Sequence, residues 1–107
     1  MIMYEDFKKL DIRIGTIESV EKIEGADKLL KLIINLGSER RQILAGIAEF
    51  INDIQSLVGK QIPILANLEP RMMRGLESQG MMLAADVEGG PILLHPEKNI
   101  PPGSIVK

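Results

Sequence analysis

From Leu10 to Ile23 apolar and polar positions alternate and then change phase. Leu10, Ile12 and Ile14 flank Asp11 and Arg13, Gly15 follows, and the next apolar position is Ile17. A period of two marks a half-buried strand, and a glycine at the phase break predicts a bulge or bend of the kind a strand needs to curl round a small barrel. EGADK, from Glu24 to Lys28, reads as a turn. LLKLIINLG, from Leu29 to Gly37, carries the cleanest alternation, with Leu30, Leu32, Ile34 and Leu36 in phase. A tight connection at Gly37 to Glu39 then leads to RRQILAGI, where Ile43, Ala45 and Ile47 are in phase, so the two segments form an antiparallel hairpin.

The rhythm changes after that. Phe50, Ile51, Ile54, Leu57 and Val58 recur at helical spacing, with Asn52 as candidate cap and Gly59 as stop, which predicts one short helix. KQIPILAN, from Lys60 to Asn67, is a fourth strand, placed at an edge because Pro63 lacks an N–H. GMMLAADV, from Gly80 to Val87, is a fifth. Beyond Glu88, Pro96, Pro101 and Pro102 forbid a continuous helix, so the tail is extended. Its Ile92, Leu93, Leu94, Ile105 and Val106 need a cover, and a second copy of the chain is the preferred one.

Between the fourth and fifth strands lies NLEPRMMRGLESQGMML, Asn67 to Leu83, whose first two thirds fit neither period and read as a long ordered loop. Arg71 and Arg74 offer fork-shaped charged donors suited to phosphate, and Gly75 and Gly80 allow close backbone approach. Asn67, Ser78 and Gln79 add neutral hydrogen bonds, and the methionines are soft enough to press on a base or sugar.

The totals limit the choice of chemistry. A chain of 107 residues is one domain, residues 1–107, with a core large enough to need no staples. It has no cysteine, and its single histidine, His95, lies beside a proline with no acidic or nucleophilic neighbour, which argues against catalysis and against any metal or cofactor. A net charge of −2 confines any polyanion site to a local basic patch. Three aromatic residues are too few for a base-stacking platform of the single-strand type. The N-terminus is no secretory signal and no apolar run approaches membrane-spanning length, so a cytoplasmic, membrane-free location is expected.

Strand, strand, strand, short helix, strand, strand is the element order of an all-β OB-fold, a five-stranded Greek-key barrel, here over about residues 9–87 with an extended C-terminal segment over about 88–107. Such barrels bind ligands on strands 2 and 3 and in the loops between strands 1 and 2 and strands 4 and 5. Lys28, Lys31, Arg40 and Arg41 fall on that face, as do Arg71 and Arg74.

DFKKLDIRIGTI, GADKLLKL, RQILAGIAEF and above all NLEPRMMRGLESQGMML resemble the tRNA-binding domain found at the C-terminus of methionyl-tRNA synthetases, also found in free-standing tRNA-binding proteins. The resemblance runs from about Asp6 to the end of the chain, and SQGM (Ser78 to Met81) is its closest approach to a signature. It implies a non-catalytic OB-fold domain, homodimeric through segments outside the barrel, that grips the outer corner of tRNA by shape and raises the tRNA affinity of the synthetase. By position, Asn67, Arg71, Arg74, Ser78 and Met81 would make the main contacts, with Arg13, Lys28 and Lys31 in support. Glu69 stands where many relatives carry lysine, which removes a positive charge beside the site. The residues are compatible with a separate subunit or an excised domain of a synthetase. A rival expectation is a dimeric OB-fold chaperone for unfolded chains, because a secretion-related chaperone family resembles the same domain and methionine-rich surfaces suit varied apolar partners.

Overall fold

The computed structural model describes residues 1–107. A short helix, α1 (Tyr4–Phe7), precedes three long strands, β1 (Ile12–Ile23), β2 (Ala26–Asn35) and β3 (Arg40–Ala45). Then come β4 (Gln61–Leu65), the short pair β5 (Arg71–Met73) and β6 (Leu76–Ser78), β7 (Met81–Met82), a second pair β8 (Ala84–Val87) and β9 (Gly90–Leu93), and β10 (Ser104–Val106). The main sheet runs β3–β2–β1–β4–β7, every pairing is antiparallel, and β10 also pairs with β1. It is the expected all-β, OB-like barrel, with β7 in the place of the fifth strand.

The in-phase residues of the sequence are the core: Leu30, Leu32, Ile34, Ile43, Ile62 and Ile64 are fully buried and Ile17, Leu36 and Leu57 nearly so. Burying each such side chain stabilises the fold by roughly 1.5–3 kcal/mol relative to exposure. Gly15 faces inward where β1 crosses β2, and a Cβ there would lie 2.3 Å from Ile34 Cγ2. The phase change itself is resolved three residues later, by a register shift between Ile17 and Ser19 that leaves Glu18 unpaired and lets both Ile17 and Val20 point inward.

Four local expectations change. The predicted helix is two 3-10 turns, Ala48–Phe50 and Ile54–Leu57, and the cap is Asp53, whose side chain accepts the Gln55 N–H, rather than Asn52. Apolar spacing of three and four fits either helix type over so few residues. β4 is not an edge but lies between β1 and β7. Pro63 acts instead on the β7 side: its carbonyl accepts the Leu83 N–H at 3.0 Å, it has no N–H to return, and the ladder ends at Ile64–Met82. The predicted fifth strand is therefore split at Leu83 into β7 and β8, which belong to different sheets.

The segment read as an irregular loop contains the β5–β6 hairpin, with Arg71, Met72 and Met73 opposite Ser78, Glu77 and Leu76. Three-residue strands are too short to display a period. The tail, finally, is covered in part by its own barrel. β10 pairs with Ile12–Ile14 of β1, the Gly103 N–H donates to Ile14 O at 2.7 Å, and the buried Gln61 amide both donates to and accepts from the Ile100 backbone. Gly37 and Gly103, both at positive φ, let the β2–β3 turn and the tail backbone meet without side chains between them. Ile92, Leu94, Ile105 and Val106 nevertheless keep exposed side chains.

Candidate nucleic-acid interface

The β5–β6 hairpin turns on Arg74 and Gly75, at φ 53° and 80°. A two-residue hairpin loop with both central residues left-handed matches the twist of the strands it joins, and it favours Asn or Gly at the first position. Arg74 is the one non-glycine residue of the chain with positive φ. A side chain held in that region costs roughly 1–2 kcal/mol, so the turn tolerates strain in order to carry a guanidinium at its tip.

What fixes the hairpin to the barrel is the SQG sequence. At the seam where the barrel closes, β3 meets Glu77 to Gly80 and side chains stand in for strand backbone. Leu44 N–H donates to Ser78 Oγ at 3.0 Å and Gln42 N–H donates to Gln79 Oε1 at 3.0 Å. Gln79 N–H donates to Gln42 O at 2.8 Å, and Gln42 Nε2 to Glu77 O at 3.0 Å. Gly80, at φ 139°, passes so close to β4 that a Cβ would lie 2.9 Å from Leu65 O. Arg41 completes the seam, its Nη1 donating to both Ala66 O and Gln79 O while Glu39 pairs with its other nitrogens.

This arrangement redistributes the residues expected at the site. Ser78 is 5% exposed, its oxygen accepting from Leu44 and its hydrogen bonding Gly80 O at 3.1 Å, so its hydroxyl is already engaged in positioning the hairpin. Asn67 clamps the approach to β1, its Oδ1 accepting the Asp11 N–H at 2.9 Å and its Nδ2 donating to Lys9 O at 2.7 Å. Arg13 is gripped by Asp11 through two 2.9 Å bonds, and that hydrogen-bonded carboxylate raises its pKa above the ordinary arginine value. Lys31 lies directly opposite Glu21 across β1 and β2 and pairs with it at 2.6 Å. Arg40 is likewise held by Glu18, which raises its pKa.

Arg71, Arg74 and Lys28 differ from these: none has a carboxylate partner within ion-pairing distance. Arg71 and Arg74 are exposed on the hairpin. Lys28 lies in the irregular stretch of β2 that has no register partner on β1, and Arg74 and Lys28 line one surface cleft together with Asp27. On the other side of the hairpin, Arg71, Ser78 and the 44%-exposed Met81 line a groove of about 410 Å³ between β5–β6, the end of β3 and β8–β9. Arg13 and Asn67 meet instead at Asp11, and Lys31 is held to β1. Sequence reasoning missed Arg41 and Gln42 as the residues that position the hairpin. Arg41 counted as one more surface cation, and nothing in a strand's period marks a seam bond to a segment 38 residues away.

A family model described as a putative tRNA binding domain matches residues 12–105. The methionine–tRNA ligase of Methanothrix thermoacetophila is 50% identical over 103 residues, covering 96% of this chain and 15% of that protein. The chain thus spans about one sixth or less of the length of the curated relatives it matches. A crystal structure of a MetRS related protein from Pyrococcus horikoshii superposes with a TM-score of 0.93 at 35% identity, covering 100% of this chain and 98% of the other. That of the chaperone CsaA from Bacillus anthracis gives 0.89 at 29% identity, covering 100% and 99%.

Proposed function

The chain belongs to the putative tRNA-binding domain family, and from that premise we propose that it is a non-catalytic module that holds tRNA by its backbone and shape for a methionyl-tRNA synthetase. The observation that carries this reading is how the seven cations expected on the binding face divide into two sets. Arg13, Lys31, Arg40 and Arg41 are neutralised by carboxylates within the barrel, whereas Lys28, Arg71 and Arg74 are left unpaired on and beside one projecting hairpin. Three free cations on a body of net charge −2 make a local anion site that discriminates poorly among sequences, as backbone-directed contacts do. Asn67 and Ser78 set the hairpin, Met81 supplies an apolar contact beside it, and Arg13 and Lys31 reach phosphate only by leaving Asp11 and Glu21.

A module of this kind acts through effective concentration. Joined to or assembled with a catalytic part, it keeps tRNA near the active site, and modest affinity suffices. A homodimer doubles the contact, with the exposed Ile92, Leu94 and Ile105 as its apolar surface. A cytoplasmic location follows from that role. No helix is long and apolar enough to cross a membrane.

Salt tests the reading. With about three phosphates neutralised, log K against log salt should fall with a slope of about −2.1 to −2.7, a loss of roughly 20- to 40-fold between about 50 and 200 mM. The structural likeness to a chaperone favours the second reading, capture of unfolded polypeptide. Apolar binding would weaken little with salt. Total tRNA that fails to bind at low salt, while an unfolded peptide binds, overturns the first reading in favour of the second.

A further inference from the structure

The groove beside Arg71 has features that phosphate binding does not use. Its walls are apolar, formed by Leu44, Met73, Met81, Met82 and Pro91. Its rim carries one cation, Arg71, and two exposed carboxylates, Glu69 and Asp86, none of them in an ion pair. Gly46 opens onto it with nothing within 4 Å of the place a Cβ would take, and its φ lies outside the left-handed range.

We propose that this groove takes up one unstacked nucleobase of the bound RNA, with Arg71 on its phosphate and Glu69 or Asp86 accepting hydrogen bonds from its amino or imino groups. The proposal rests on the tRNA reading above. At about 410 Å³ the groove is of ordinary ligand-site size, and soft methionine walls suit a flat ring that no aromatic platform here could stack. The charges select among occupants. An apolar side chain of an unfolded peptide would cover two carboxylates and give them nothing in return, at a desolvation cost. A base brings N–H donors to them and a phosphate to Arg71 in one ligand, and Arg74 with Lys28 continues a cationic track round the hairpin.

Base preference follows from donors. Guanine offers an imino and an amino group, and cytosine and adenine each offer an amino group, whereas uracil offers one imino N–H flanked by two carbonyls that would face the carboxylates. The groove should therefore prefer guanine and disfavour uracil. Glu69, which removes a charge from the phosphate site, is here an acceptor.

The test has two arms. In the first, NMR titrations of the wild-type chain use GMP, UMP, ribose 5-phosphate and an unfolded Leu- and Phe-rich peptide. In the second, tRNA affinity is measured for wild type, Gly46→Ala and Gly46→Phe, with thermal melts as the folding check. Shifts at Gly46, Met81 and Asp86 that are larger with GMP than with UMP and absent with ribose 5-phosphate support the proposal. So does an affinity loss on the order of tenfold for Gly46→Phe but not for Gly46→Ala, the scale of one base contact. Equal shifts from ribose 5-phosphate, or peptide in the groove where GMP is not, overturn it. tRNA binding unchanged in a folded Gly46→Phe also overturns it while leaving the tRNA reading intact. If wild type takes GMP but not tRNA, the groove stands and the tRNA reading falls.

Discussion

Arg74 occupies a backbone conformation in which its side chain is a local liability, and its guanidinium is free of any carboxylate. Stability and binding should therefore separate at this residue. Arg74→Gly should raise the melting temperature, by the equivalent of about 1 kcal/mol from relief of the left-handed strain, while weakening tRNA binding. Arg74→Ala should weaken binding to the same extent without that gain, and the salt slope should flatten by about 0.7 to 0.9 in both, one phosphate contact's worth. Melts together with affinities at two salt concentrations check this, and an unchanged slope would remove Arg74 from the contact set. Arg13 shows the opposite case: an arginine that sequence assigns to phosphate and that the fold pairs with Asp11, just before the start of β1.

At the scale of elements, the barrel strands were legible because each long strand buries one face, so period and core coincide at Leu30, Leu32, Ile34, Ile43, Ile62 and Ile64. The β5–β6 hairpin was not, since Met72 and Met73 adjoin each other and Arg-Gly is a weaker turn signal than Asn-Gly. The SQG sequence drew notice as chemistry, and its place is the seam. Ser78→Ala should cost about 1–3 kcal/mol, because it leaves the buried Leu44 N–H without a partner. Tighter hydrogen-exchange protection at Leu44 than at the hairpin tip in wild type, lost in the variant, is the accompanying signature. If stability and protection are unchanged, Ser78 does not hold the seam. Weaker tRNA binding by this variant would come through displacement of Arg71, its register partner, rather than through a lost contact.

For the whole molecule, a net charge of −2 allows only a local basic site, and of the cations expected there the ion pairs leave Lys28, Arg71 and Arg74 free. The tail was legible as extended and apolar, but its pairing with β1 was not, because β10 has only three residues and no period of its own. β10 has a neighbour on one side alone, and Ile105 stands out from it 65% exposed. Such an edge invites pairing with a second copy. Ile105→Lys should shift a sedimentation profile from dimer towards monomer without lowering the melting temperature of the barrel. A profile that remains dimeric would place the interface elsewhere.

The closing seam also has a kinetic meaning. Leu44 and Ser78 are 34 residues apart, and Gln42 and Gln79 37, whereas β1, β2 and β3 join through short turns. Contacts across long loops carry a larger closure entropy and form late unless nucleated by others. The β1–β2–β3 meander is thus the natural nucleus, and the hairpin with its two arginines docks only after β3 has paired with β2, when the seam zips shut. Opening of the seam alone would then release the hairpin and its two arginines while the meander stays paired.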